Sequence, residues 1–147
     1  MAFPTSAVQR KFIKDALENT AAIDLNADTF KCALFTNTIS GTFTPDTDQG
    51  YGTAPWNANE VVGTGYTAGG ATCASPTFTT SSGTQSWDAN DPTWPSSTVT
   101  ARGCLVYDST VSNYGIVAIN FGADVSSVAD TFRVQFHASG IWAIVWT

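Results

Sequence analysis

The stretch D-T-F-R-V-Q-F-H, Asp130 to His137, alternates residue by residue. Phe132, Val134 and Phe136 fall on one face of an extended chain, and Arg133, Gln135 and His137 on the other. A period of two is the period of a β-strand with one buried face, and a helix would need its apolar residues three and four apart. The same character extends upstream as far as Ile23, where β-branched and aromatic residues dominate and Gly, Pro, Asn and Asp punctuate them. Strands are predicted over 29–37, 59–64, 72–79, 84–88, 97–107, 114–121, 130–137 and 140–147. Ala138, Ser139 and Gly140 leave room only for a tight turn, so the last two strands are expected to form an antiparallel hairpin. Ile116–Phe121 and Ile141–Trp146 are apolar on both faces, which predicts that each is central in its sheet or covered on its outer side.

Helical spacing occurs once. After Pro4, Thr5 and Ser6, the residues Val8, Phe12, Ile13, Ala16 and Leu17 recur on one face, predicting a helix over 5–19 with an apolar stripe laid on the sheet. Ser6 and Gln9 have the spacing of a capping box. The expected fold is mainly β: a single-domain antiparallel β-sandwich over 1–147 with one N-terminal helix. The segment 38–58 breaks the pattern. It is rich in Thr, Gly, Asp and Pro, carries Phe43, Tyr51 and Trp56, and reads as an extended loop or arm.

Size and composition narrow the function. A chain of 147 residues buries roughly 70% of its unfolded surface and needs no disulfide or metal to fold. Charged residues make up 12% of it, about half the usual share, alongside five Trp and nine Phe. So weakly charged a surface suits a protein covered by partners. The net charge of −6 and only six basic residues argue against nucleic acid. Arg10, Lys11, Lys14 and Lys31 lie near the start and read as a solvated face, with docking to an acidic neighbour as the alternative. No secretory h-region precedes the first charges, and Gly140–Trp146 falls far short of the ~20 residues a membrane span needs, so synthesis and folding in a cytoplasm are expected. Cys32, Cys73 and Cys104 have neither CxxC spacing nor an even count, and read as buried small hydrophobes, the alternative being an intermolecular bridge.

The residues that could carry chemistry read as structural. His137 has no nucleophile or orienting carboxylate at a recognisable spacing, which leaves a surface strand position. Asp88, Asn90 and Asp91 group three oxygen donors without the Gly hinge and late Glu of a calcium loop, and so make a good turn. Gly63–Gly70 lead into a strand with no helix or Lys following, unlike a phosphate loop. Trp56, Trp87 and Trp94 suggest core packing first and a sugar-stacking platform second. No catalytic residue, cofactor or metal site is expected.

Three segments, V-V-G-T-G-Y-T-A-G-G at Val61–Gly70, T-F-K-C-A-L-F-T at Thr29–Thr36 and T-A-R-G-C-L-V-Y-D at Thr100–Asp108, together resemble a family of small virion structural proteins of tailed bacteriophages. W-D-A-N-D-P-T-W at Trp87–Trp94, N-F-G at Asn120–Gly122 and F-R-V-Q-F-H-A-S-G-I at Phe132–Ile141 extend the resemblance over much of the chain. The three cysteines, and an aromatic C-terminal stretch with Trp142 and Trp146, depart from the family's pattern. The resemblance implies a part of the particle. A head decoration or cement protein, held to the major capsid protein and to copies of itself, is the favoured position. A tail, neck or fibre component, including a receptor- or glycan-binding module, is the alternative. Partner contacts are expected at Phe43, Tyr51 and Trp56 in the loop and at Trp142 and Trp146 on the last strand, with no enzyme activity.

Overall fold

The computed structural model describes residues 1–47 and 49–146; Asp48 of the 38–58 segment and Thr147 of the expected last strand lie outside the described residues. The chain is mainly β, with two antiparallel sheets and one short helix. The larger sheet has the order β1-β7-β6-β2-β3, and its strands are β1 (Ala7–Val8), β2 (Phe30–Phe35), β3 (Ala71–Cys73), β6 (Thr93–Asp108) and β7 (Tyr114–Arg133). The smaller sheet has the order β4-β5-β8, formed by β4 (Thr77–Ser81), β5 (Thr84–Asp88) and β8 (Trp142–Val145). The helix α1 covers Arg10–Leu17.

Alternation along β2 sorts the core into two layers. Phe30, Cys32 and Leu34 join the main cluster, which Phe12 of α1 and Trp87 and Trp142 of the smaller sheet complete. Ala33 and Phe35 point the other way, into a second cluster with Phe3, Ile39, Trp56, Leu105 and Tyr107. The centre of the larger sheet is therefore buried on both faces, which explains why Ile116 to Phe121 carries apolar residues on both sides. One face meets the helix and the smaller sheet. The 38–58 segment folds down over the other, so it is a cover and not an arm: Trp56 packs on Phe3, Phe35 and Phe43 at 5.6, 5.2 and 5.5 Å, and Tyr51 stacks on Tyr107 at 4.7 Å.

Several local expectations are corrected by long-range pairing. Segments 114–121 and 130–137 belong mostly to one strand, β7, whose register on β6 jumps between Gly103↔Asn120 and Ala101↔Val125; two steps along β6 are met by five along β7. The alternation that opened the argument persists, with Phe132 and Val134 buried, Phe136 half-buried, and Arg133, Gln135 and His137 exposed, but pairing ends at Arg133. No hairpin joins it to the last strand. After Arg133 the chain leaves the larger sheet, tied by Val134 N–H to Pro92 O and Phe136 N–H to Asp91 Oδ1, and β8 pairs with β5 across Trp87↔Trp142. β8 is an edge strand with Val145 exposed, where a central or covered strand was expected.

Segment 59–64 forms only the isolated bridges Phe35↔Glu60 and Thr64↔Thr98, and 72–79 splits at Ala74–Pro76 to serve both sheets. The capping box does not form. Ala7 and Val8 pair with Ala118 and Val117, Ser6 Oγ accepts from Asn120 N–H, and buried Gln9 donates through Nε2 to Thr47 O. Strand pairing up to Val8 and the Gln9 N–H bond to Ile116 O commit these residues to extended backbone, so the helix starts at Arg10. It is anchored by Phe12 and by Asp15, which accepts from Lys11 Nζ and Tyr114 O–H, while Leu17 is 83% exposed and lies off the buried stripe.

Candidate functional surface

The five residues expected at an interface have different fates. Trp56 is 1% exposed and Trp142 is 7% exposed. The ring of Trp142 lies 5.5 Å from Phe12, 5.7 Å from Phe78 and 6.5 Å from Trp87. Both are corrected from contact residues to core: a ring used inside the chain has no face left for a partner. Phe43 and Tyr51 are half-buried against the second cluster. Trp146 is 67% exposed beside exposed Val145 and holds the edge of the smaller sheet through its N–H to Gly83 O. The sugar-stacking platform is excluded for the same reason as Trp56: Trp87 and Trp94 are buried too, and Trp87 Nε1 donates to Leu25 O at 2.8 Å.

Residues that sequence reasoning did not single out supply most of the exposed apolar surface. Val62 is 95% exposed and Val128 is 77% exposed, and both line a shallow groove together with buried Val61, Val99 and Ser127. The only sequence signal was Val62 beside Val61 at the start of the Gly-rich motif. Structure decides which of the two turns inward, since Val61 N–H bonds to Leu34 O and its side chain is buried. A second groove, about 610 Å³, lies between the β1–β7 edge and the crossover from Arg133 to Ile141, and is lined by Val8, Ile119, Phe121, Phe132, Phe136 and Ile141. Among the described residues, the side of β7 away from β6 has no paired strand beyond Ala118.

The Gly-rich motif closes around Glu60. Its Oε1 accepts from Tyr66 O–H and Gly69 N–H, both at 2.7 Å, and its Oε2 accepts from Tyr51 O–H at 2.8 Å. Tyr66 also accepts from Leu34 N–H, and Tyr107 donates to Gly69 O. Burial and the hydrogen bond to Glu60 push the Tyr51 phenol up to about 12 and Tyr66 further still. Gly70 sits at φ +74°, where a Cβ would stand 1.8 Å from Cys32 O. The motif is a tight backbone crossing over β2, with its polar groups satisfied inside the chain.

The remaining candidates act as fasteners. Asp91 Oδ1 accepts from Phe136 N–H, Asn90 N–H donates to Ala74 O, and exposed His137 accepts from Ser139 N–H through Nδ1. All three cysteines are buried, and burial raises the thiol pKa of Cys32 and Cys73, so an intermolecular bridge is closed to them. Among the described residues, no three His, Cys, Asp or Glu side chains converge to hold a metal ion, and no helix is long and apolar enough to cross a membrane. In comparisons with protein-family models, curated proteins and solved structures, nothing matches this chain.

Proposed function

We propose that this chain is a structural component of a tailed-phage virion, a head decoration or cement protein that works by laying apolar surface across the joints between major-capsid subunits. The observation that carries the reading is Val62 and Val128, two exposed valines that line one shallow groove in a chain with few charges. Exposed apolar side chains gathered in one patch, and not scattered singly, are the kind of surface that marks a protein contact. The sequence resemblance to small virion proteins supports the setting. Interfaces of about 1,600 Å² repeated over many copies would resist internal pressure by avidity without any one contact being strong. The contact set differs from the one first expected: Val62, Val128, Val145 and Trp146 carry it, with Trp56 and Trp142 holding the fold beneath.

A glycan-binding module gains nothing from the geometry, because the three tryptophans that would form its platform are inside. The test is to add purified protein to capsids lacking it and to image them by cryo-electron microscopy beside intact virions. Ordered density at the local symmetry axes of the capsid is the expected result. Bare capsids, with the protein found at the neck, tail or fibre tips, would overturn the cement assignment.

A further inference from the structure

Asp108 closes β6 and is fully buried. Its Oδ1 accepts from Thr110 N–H at 2.8 Å and Val111 N–H at 3.1 Å, shaping the turn into β7. Its Oδ2 is buried with no donor, although a buried acceptor ordinarily has one. What faces it is another carboxyl group, that of Asp28. Asp28 Oδ2 in turn accepts from Asp24 N–H at 2.6 Å. Besides Asp28, the groups acting on Asp108 are the backbone N–H groups of Thr110 and Val111.

Two carboxyl groups set against each other need something positive between them. A divalent cation is poorly served here: Asp24 Oδ1 already accepts from Asn26 and Ala27 N–H, Asn26 Oδ1 already accepts from Phe78 N–H, and a calcium ion wants six or more oxygens. A proton needs only the pair, as in other dyads of acids held close together.

The place of the contact gives the proton its leverage. The 24–29 loop is bonded to both sheets: Leu25 O accepts from Trp87 Nε1 and Asn26 Oδ1 from Phe78 N–H on the smaller sheet. On the larger sheet, Thr29 O accepts from Ser109 and Thr29 N–H donates to Thr110 Oγ1. We propose that the Asp28–Asp108 contact is a proton-operated clasp: one shared proton locks the 24–29 loop to the β6–β7 turn, and its loss sets two negative charges against each other at the joint between the sheets. Burial, followed by the facing Asp28, pushes the Asp108 carboxyl up to about 6, against the pull of the Val111 and Thr110 amides. A carboxyl raised in the folded chain keeps a proton that the unfolded chain has lost. The clasp therefore contributes stability at acid pH that disappears as pH rises through about 6.

The experiment is thermal unfolding of the full chain between pH 4 and 8 for the wild type, Asp28→Asn and Asp108→Asn, with the carboxyl carbons of the wild type titrated by NMR. Each Asn keeps the acceptor and adds the missing donor, so the wild-type Tm should fall relative to both variants by roughly 5 to 10 °C across this range. One Asp carboxyl should titrate near 6. Parallel profiles for all three proteins would overturn the clasp. So would millimolar Ca²⁺ raising the wild-type Tm at pH 8 and leaving the variants unmoved, since a cation would then join the pair. Should a variant fail to fold, a wild type with no Asp carboxyl titrating above pH 5 overturns it alone.

Discussion

Trp56 and Trp146 both sit in stretches that look suited to contact, yet one touches the rings of Phe3, Phe35 and Phe43 and the other faces solvent. Truncating them separates fold from surface. Trp56→Ala should cost about 3–5 kcal/mol in urea unfolding, because the second cluster has nothing else large enough to refill the space. Trp146→Ala should stay within about 0.5 kcal/mol of the wild type. Asp15 gives a pH test of the opposite sign to the clasp. The Lys11 ammonium and the Tyr114 hydroxyl hold its carboxyl below the usual range, so its contribution is present above about pH 4 and is lost as pH falls further. Asp15→Asn should flatten the acid limb of the stability profile while leaving the profile above pH 5 unchanged in shape.

At the scale of elements, what could be read from sequence was what is local. The alternation of Phe132, Arg133 and Val134 reports which side of the chain is wet, and it survives even where the strand has ended. Ser6 and Gln9 had the right spacing for a cap, but spacing cannot show that β7 stands ready to bond Ala7 and Val8. Nor could any pattern in Trp142–Val145 reveal that its neighbour is β5 and not the strand just before it, since strand pairing over long separations leaves no local mark. The same gap hid the place of Trp142, expected at a partner contact and found packed on Trp87 across the β5 pairing. The Glu60 crossing invites a direct test. Glu60→Gln keeps the shape and removes the charge that Tyr51, Tyr66 and Gly69 all donate to, and should cost about 1–3 kcal/mol with faster hydrogen exchange at Gly69.

The whole molecule joins two kinds of surface. Its interior is aromatic, and its exterior is sparsely charged with exposed valines at one groove. Fold class was legible from composition and period, whereas the contact surface was not, because conspicuous aromatics are the residues a core recruits first. If the proposed cement role holds, replacing Val62 and Val128 together by Ser should leave Tm within a few degrees of the wild type and abolish retention on capsids that lack the protein, measured by co-sedimentation. Unchanged retention would move the contact elsewhere on the molecule. The order of the strands has a further consequence, for synthesis. The smaller sheet borrows its third strand from residues 142–145, although its first two are complete by residue 88. While the ribosome is still making what lies between, Trp87 has no Trp142 to pack on and the β4–β5 hairpin has a bare edge. A nascent chain therefore carries an adhesive half-sheet for as long as residues 89–141 are being made, and crowding many copies on one message would favour tangling there before anywhere else.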